Sequence, residues 1–100
     1  MTIGGNWKEM FKAIQEGDIN LVEYYLNAGI DPNYQHPEFM ALPIVESIRF
    51  NHLDITKLLL ENGADPSLKE FWGGDTCLSV AKAKKNEEAL QLLQIYTKQK

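Results

Sequence analysis

The groups able to act as nucleophile and base are few: one thiol, Cys77, three serine hydroxyls, Ser47, Ser67 and Ser79, and two imidazoles, His36 and His52. Hydrolytic or transfer chemistry needs one of the first brought against one of the second. None of the four nucleophiles sits in a nucleophile elbow or another frame that would aim it at a histidine. Cys77 falls at the predicted first turn of a helix, where the dipole could lower its pKa, but a packed, inert thiol is the favoured reading. His36, His52 and Cys77 lack metal-ligand spacing. The run Gly73-Gly74-Asp75-Thr76 has neither the following lysine nor the preceding strand of a phosphate loop. Carboxylate pairs such as Glu16 with Asp18 and Glu87 with Glu88 fit helix starts and exposed faces. The expectation is a chain that is no enzyme, with no catalytic residue, metal or cofactor.

The elements that carry these residues belong to an ordinary soluble chain. With 44% hydrophobic and 24% charged residues it lies far from compositions that stay disordered. One hundred residues make one domain, 1–100, able to bury roughly two thirds of its unfolded surface. The net charge of -4 argues against nucleic acid as partner. That charge is uneven: residues 1–81 carry 5 basic and 12 acidic side chains, residues 82–100 carry 5 and 2. The basic end, Lys82, Lys84, Lys85, Lys98 and Lys100, reads as a solvated helix face. A single cysteine cannot close an intramolecular disulfide and fits a reducing compartment. No window approaches the ~18 apolar residues of a membrane span, the start lacks a signal peptide, and Thr2 removes the myristoylation pattern. The expected location is the cytoplasm, with no membrane contact.

A repeat organises the rest. Tyr24-Tyr25-Leu26-Asn27-Ala28-Gly29-Ile30-Asp31-Pro32 and Leu58-Leu59-Leu60-Glu61-Asn62-Gly63-Ala64-Asp65-Pro66 are one phrase written twice, 34 residues apart. A third, weaker copy follows, giving units near 6–36, 40–70 and 74–98, each a helix, a turn, a helix and an extended link. Asn6 with Glu9 suggests a capping box opening the first helix, along which Trp7, Met10, Phe11 and Ile14 form one apolar stripe. Its polar outer side suits the end of a stack. Ile19, Leu21, Val22, Tyr25 and Leu26 mark the second helix, closed at Gly29. Pro43 fits the first turn of the third helix, with Ile44, Val45 and Ile48 behind it. Leu53, Ile55, Leu58 and Leu59 mark the fourth, Leu78, Val80 and Ala81 the fifth behind a Thr76 cap, and Ala89, Leu90, Leu92, Leu93 and Tyr96 the sixth behind Asn86. Thr97-Lys98-Gln99-Lys100 offers no stop signal, so the tail should fray.

This pattern resembles the ankyrin repeat, most specifically through His52-Leu53-Asp54-Ile55-Thr56-Lys57-Leu58-Leu59-Leu60-Glu61-Asn62-Gly63-Ala64-Asp65-Pro66-Ser67. The resemblance implies an all-α solenoid of stacked antiparallel helix pairs with links projecting as hairpin fingers. It also implies a structural role for His52. Two departures stand out. The family's threonine, proline, leucine, histidine signature appears here as Leu42-Pro43-Ile44-Val45 and Thr76-Cys77-Leu78-Ser79, without the histidine that ties neighbouring repeats. The period is 34 instead of about 33.

By the same resemblance the work is noncatalytic protein recognition through the concave side and the fingers. The positions that vary for partner choice map to Gln15 and Glu16, Arg49 and Phe50, and Ala83 and Lys84. On the fingers they map to Glu38, Phe39 and Ala41, then Trp72, Gly73 and Asp75. Phe39, Phe50, Phe71, Trp72 and Arg49, with Tyr34 and His36, are expected on one surface, in residue types that dominate interface hot spots. Phe39, Phe71 and Trp72 could alternatively fold back to seal the fingers. Glu16, Glu38, Glu46 and Asp75 would add a negative rim favouring a basic protein partner. A general adaptor, or a dedicated inhibitor such as an immunity protein, would act by occupancy. A monomer is expected, with weak self-association through the aromatic fingers as the alternative.

Overall fold

The computed structural model describes residues 3–97, in six helices: α1 Ile3–Glu16, α2 Ile19–Asn27, α3 Pro43–Arg49, α4 Leu53–Glu61, α5 Cys77–Ala83 and α6 Glu87–Thr97. They pair antiparallel as α1/α2, α3/α4 and α5/α6. α1 stacks on α3 and α3 on α5, while α2 stacks on α4 and α4 on α6. The result is an all-helical stack among the described residues, 37 × 27 × 26 Å. Lys98, Gln99 and Lys100, where the tail was expected to fray, lie outside the described residues.

The apolar stripes read from sequence become the core: Trp7, Met10, Ile14, Val22, Val45, Ile48, Ile55 and Leu59 are all fully enclosed. The caps follow local chemistry. Asp18 accepts from the Leu21 amide at 3.2 Å, Asn86 from the Ala89 amide at 3.1 Å, and Thr76 forms a reciprocal capping box with Ser79. Pro43 opens α3 without an amide to orphan. One boundary differs: α1 starts at Ile3, so Asn6 lies inside the helix and caps nothing. Gly4 and Gly5 cost about 1 kcal/mol each relative to alanine in a helix, yet impose no block of the kind proline would.

All three inter-helix turns close alike. In each, the left-handed residue, Gly17, Asn51 or Lys85, has φ +78°, +61° or +54°. Its amide reaches back three residues, and the next amide, Asp18, His52 or Asn86, reaches back five, to Ala13, Ser47 or Ala81 at 2.9, 2.8 and 3.0 Å. This is the Schellman closure, repeated at the sequence period. At Gly17 the lack of a side chain serves a second end, because a Cβ there would lie 2.7 Å from His52 Cε1. The imidazole fits into that space and its Nε2 bonds the Gln15 carbonyl at 3.1 Å, tying unit one to unit two. The position of the family's histidine is taken by buried Val45, and within unit two the buried hydroxyls of Ser47 and Thr56 join α3 to α4 at 2.7 Å.

The register also shows how the ends are made. Met10 and Ile44 are covered by the next unit, whereas their counterpart Leu78 is 45% exposed. At neighbouring positions unit three turns polar: Lys82 replaces Ile14 and Ile48, Ser79 replaces Phe11 and Val45, and Gln94 replaces Leu26 and Leu60. At the other end exposed Glu9 and Lys12 stand where Pro43 and Glu46, then Cys77 and Val80, are buried. These exchanges make each outer face more polar, while exposed Leu78 keeps an apolar area on the end of unit three.

Candidate functional site

No nucleophile meets an imidazole among the described residues. Ser47 is committed to Ile44 O and Thr56, Ser67 to Asp65 and Ser79 to the Thr76 cap. His36 Nδ1 accepts from the Glu38 amide. The Cys77 thiol is buried and donates to Pro66 O at 3.0 Å. Burial pushes its pKa up to about 11, outweighing the amides of the helix start that would lower it. Among the described residues there is no cluster of three or more side chains able to hold a metal, and no helix is long and apolar enough to cross a membrane.

The feature the sequence most directly builds is the second finger. Phe71–Gly74 form a turn whose two glycines both take positive φ. Its base closes through the Glu70 amide donating to Asp75 O at 2.8 Å. Two side chains then clamp it. From α3, Arg49 Nη1 donates to Glu70 Oε2 at 2.9 Å and Nη2 to Asp75 Oδ2 at 3.1 Å, while Nη2 also donates to Glu70 Oε1. From the first link, Gln35 donates to Lys69 O and accepts from the Phe71 amide, both at 3.0 Å. Asn33 does the same lower down, donating to Gly63 O at 3.1 Å and accepting from the Asp65 amide at 2.8 Å. Backbone that would otherwise need water is thus satisfied by amide side chains of the neighbouring link.

Arg49 is the hub of a largely buried ion network. Nη1 also donates to Glu46 Oε1 at 3.1 Å, and Glu46 takes its other bond from Gln15 Nε2 at 2.8 Å. Glu70 accepts from the Leu42 amide at 3.0 Å besides its bonds to the guanidinium. Hydrogen bonding to Glu70 raises the Arg49 pKa well above its ordinary value, despite burial that opposes the charge. One cation therefore faces three carboxylates. Glu46, expected in an exposed acidic rim, is buried inside this network.

The aromatic side chains divide by environment. Phe71 and Trp72, on the clamped turn, are 71% and 78% exposed. Phe39, on the first finger, is 48% exposed. It stacks on Phe11 at 5.7 Å between centroids and packs against Trp7 and His36. Tyr34 and His36 close on the same buried Trp7 at 5.7 and 5.4 Å. Beside Phe39, Lys8 pairs with Glu38 at 3.3 Å. Phe50 is half-exposed on the cap at the far end of α3, with Glu16 and Lys84 exposed at matching ends of α1 and α5. The aromatics expected on a single surface are therefore divided: Phe39 half-exposed against the first finger, Phe71 and Trp72 open on the second, and Phe50 half-exposed at an inter-helix turn. They divide because each helix end and each finger is a separate edge of the stack.

One concavity borders Phe39 and Arg49, and a second lies apart from these groups. One, of about 740 Å³, lies between Lys8, Phe11, Lys12 and Gln15 of α1, Glu38, Phe39 and Ala41 of the first finger, and Glu46 and Arg49 of α3. The other, of about 720 Å³, is an apolar hollow on the end face of unit three among Pro66, Cys77, Leu78, Leu90 and Leu93. Sequence reading missed Asn33, Gln35 and Glu70. The two amides sit at alternate positions of an extended link, which hints that they share a face; nothing local distinguishes Glu70 from a solvated acid.

A family model described as ankyrin repeats (3 copies) matches residues 10–100. The human (Homo sapiens) 2-5A-dependent ribonuclease is 36% identical over 61 residues, covering 61% of this chain and 8% of that protein. Putative ankyrin repeat protein FPV230 of Fowlpox virus (strain NVSL) is 34% identical over 68 residues, 68% of this chain and 36% of its own length. Palmitoyltransferase AKR1 of Lachancea kluyveri is 34% identical over 55 residues, 55% of this chain and 8% of that protein. The chain thus spans a minor part of each of these relatives.

Proposed function

The chain belongs to the ankyrin-repeat family, and from that premise we propose that it recognises a protein partner through its second finger, with Trp72 and Phe71 as the anchors. Ankyrin repeats mediate protein–protein interaction and are typically noncatalytic. The observation that carries the reading is the pair of exposed aromatics on a turn clamped by Arg49 and Gln35. Large rigid aromatics dominate binding hot spots, and a turn already held in one shape loses little entropy on binding. Asp75, Glu38 and Glu16 supply the charged rim, Phe50 and Lys84 extend the surface along the inter-helix turns, and Phe39 contributes its open edge. Arg49 acts chiefly as a positioning residue. The chain works by occupying its partner, as an adaptor or an inhibitor. Its lone reduced cysteine suits the cytoplasm, and its net charge of -4 favours protein over nucleic acid.

Affinity capture from the native lysate tests this, with wild type and Trp72→Ala as baits. Support is a protein held stoichiometrically by wild type and lost by a Trp72→Ala bait that melts at the wild-type temperature. Retention by both would move the interface away from this finger.

A further inference from the structure

We propose that the second finger takes a partner segment bearing a cationic side chain, arginine or lysine, seated over Trp72 and drawn by the carboxylates at the base of that finger. This rests on the finger being the recognition element and names the chemistry it selects. Phe71 and Trp72 are 71% and 78% exposed, and the negative face of an indole attracts a cation within about 6 Å of its centroid. Three residues on, Asp75 closes the same turn and its side chain is 49% exposed. Among the described residues Arg49 is the only cation within salt-bridge distance of Glu46, Glu70 and Asp75. Glu46, Glu70 and Asp75 against Arg49 give this network a net charge of two negatives, and one negative remains when Lys69 on the link beside it is counted. An anionic segment would be repelled there, and a purely apolar one would strip water from the half-exposed Asp75 carboxylate, whose existing bonds to Arg49 and Ser79 leave part of it solvated. A guanidinium or ammonium on an aliphatic stem satisfies both surfaces: the stem covers the ring and the head meets Asp75. Lys69 lies nearby on the link but is exposed to solvent, not engaged with this network.

The test is selection from a random peptide phage library against the immobilised full-length chain, followed by titration of the enriched peptides in solution. Peptides that lose binding with Trp72→Ala should carry at least one arginine or lysine. Asp75→Asn should weaken them about fivefold, the scale of one exposed charge pair, and raising salt should weaken them further. Thermal unfolding of Asp75→Asn keeps a folding defect distinguishable, and the wild-type salt dependence reads the same charge without any mutation. Enrichment of Trp72-dependent peptides that are neutral or acidic overturns this inference while sparing the finger's role. Absence of any Trp72-dependent peptide overturns both.

Discussion

Arg49→Met removes one charge and keeps most of an aliphatic stem, so it isolates the ion network. Glu46 and Glu70, 7% and 4% exposed, would lose the one cation paired with them among the described residues. Removing one member of a buried pair typically costs about 3–5 kcal/mol, because the charge left behind is uncompensated. Two features favour the lower end of that range: Gln15 still donates to Glu46 and the Leu42 amide to Glu70, and Asp75 is half-exposed. A loss of about 3 kcal/mol is a large part of a domain's total of about 5–15. At about 4–8 °C per kcal/mol, the melting temperature should fall by roughly 12–24 °C. The sharper outcome is a change of sign. In wild type, Glu70→Gln should destabilise by taking the bidentate partner from Arg49. In the Arg49→Met background it should stabilise, because it neutralises a buried unpaired carboxylate while keeping an oxygen for Leu42 N–H. Urea unfolding of the four proteins of this cycle gives both numbers. If Arg49→Met costs less than about 1 kcal/mol, as an exposed pair would, or Glu70→Gln destabilises both backgrounds, the network is solvated and the argument fails.

Three further outcomes follow from the turns and the thiol. Gly17→Ala should destabilise by about 2–3 kcal/mol in thermal unfolding, combining the left-handed cost with displacement of the His52 ring from Gln15 O; a change below 0.5 kcal/mol would contradict the close fit. Lys85→Gly should stabilise by about 1 kcal/mol, since a non-glycine side chain holds φ +54° on an exposed turn. The Cys77 thiol, with its pKa raised to about 11 by burial, contributes stability that is complete below its unfolded value of about 8.5 and lost as pH rises towards 11. Integrated, that is about 3 kcal/mol. Wild type should therefore lose this much more than Cys77→Ala between pH 8 and 11 in denaturant titrations, and parallel curves would contradict the assignment.

Much of the fold was legible because the repeat writes the same physics three times. The 34-residue period recurs in left-handed positions 17, 51 and 85 and in the backbone bonds flanking them. Apolar stripes became core with little exception, since a helix buries whichever face is apolar. The start of α1 was misplaced because a capping signal marks where a helix can begin, not where it must. The candidate site was legible only in part. The exposure of Trp72 and the partial packing of Phe39 depend on what lies opposite each ring: Phe39 finds Phe11 and Trp7 across the first finger, while Trp72 makes no ring contact among the described residues. Arg49 read as a recognition residue because sequence shows a guanidinium beside Phe50, yet its partners at 70 and 75 arrive through the chain's return into the next link.

Calorimetric titration of the captured partner into wild type and Trp72→Ala, with the melting temperature of both known, bears most directly on the finger as recognition element. Trp72 is 78% exposed, so its truncation should leave stability within about 0.5 kcal/mol of wild type. Affinity should fall at least 30-fold, as for a hot spot of about 2 kcal/mol or more. Equal affinity for both proteins, at equal stability, would show that recognition lies elsewhere on the stack.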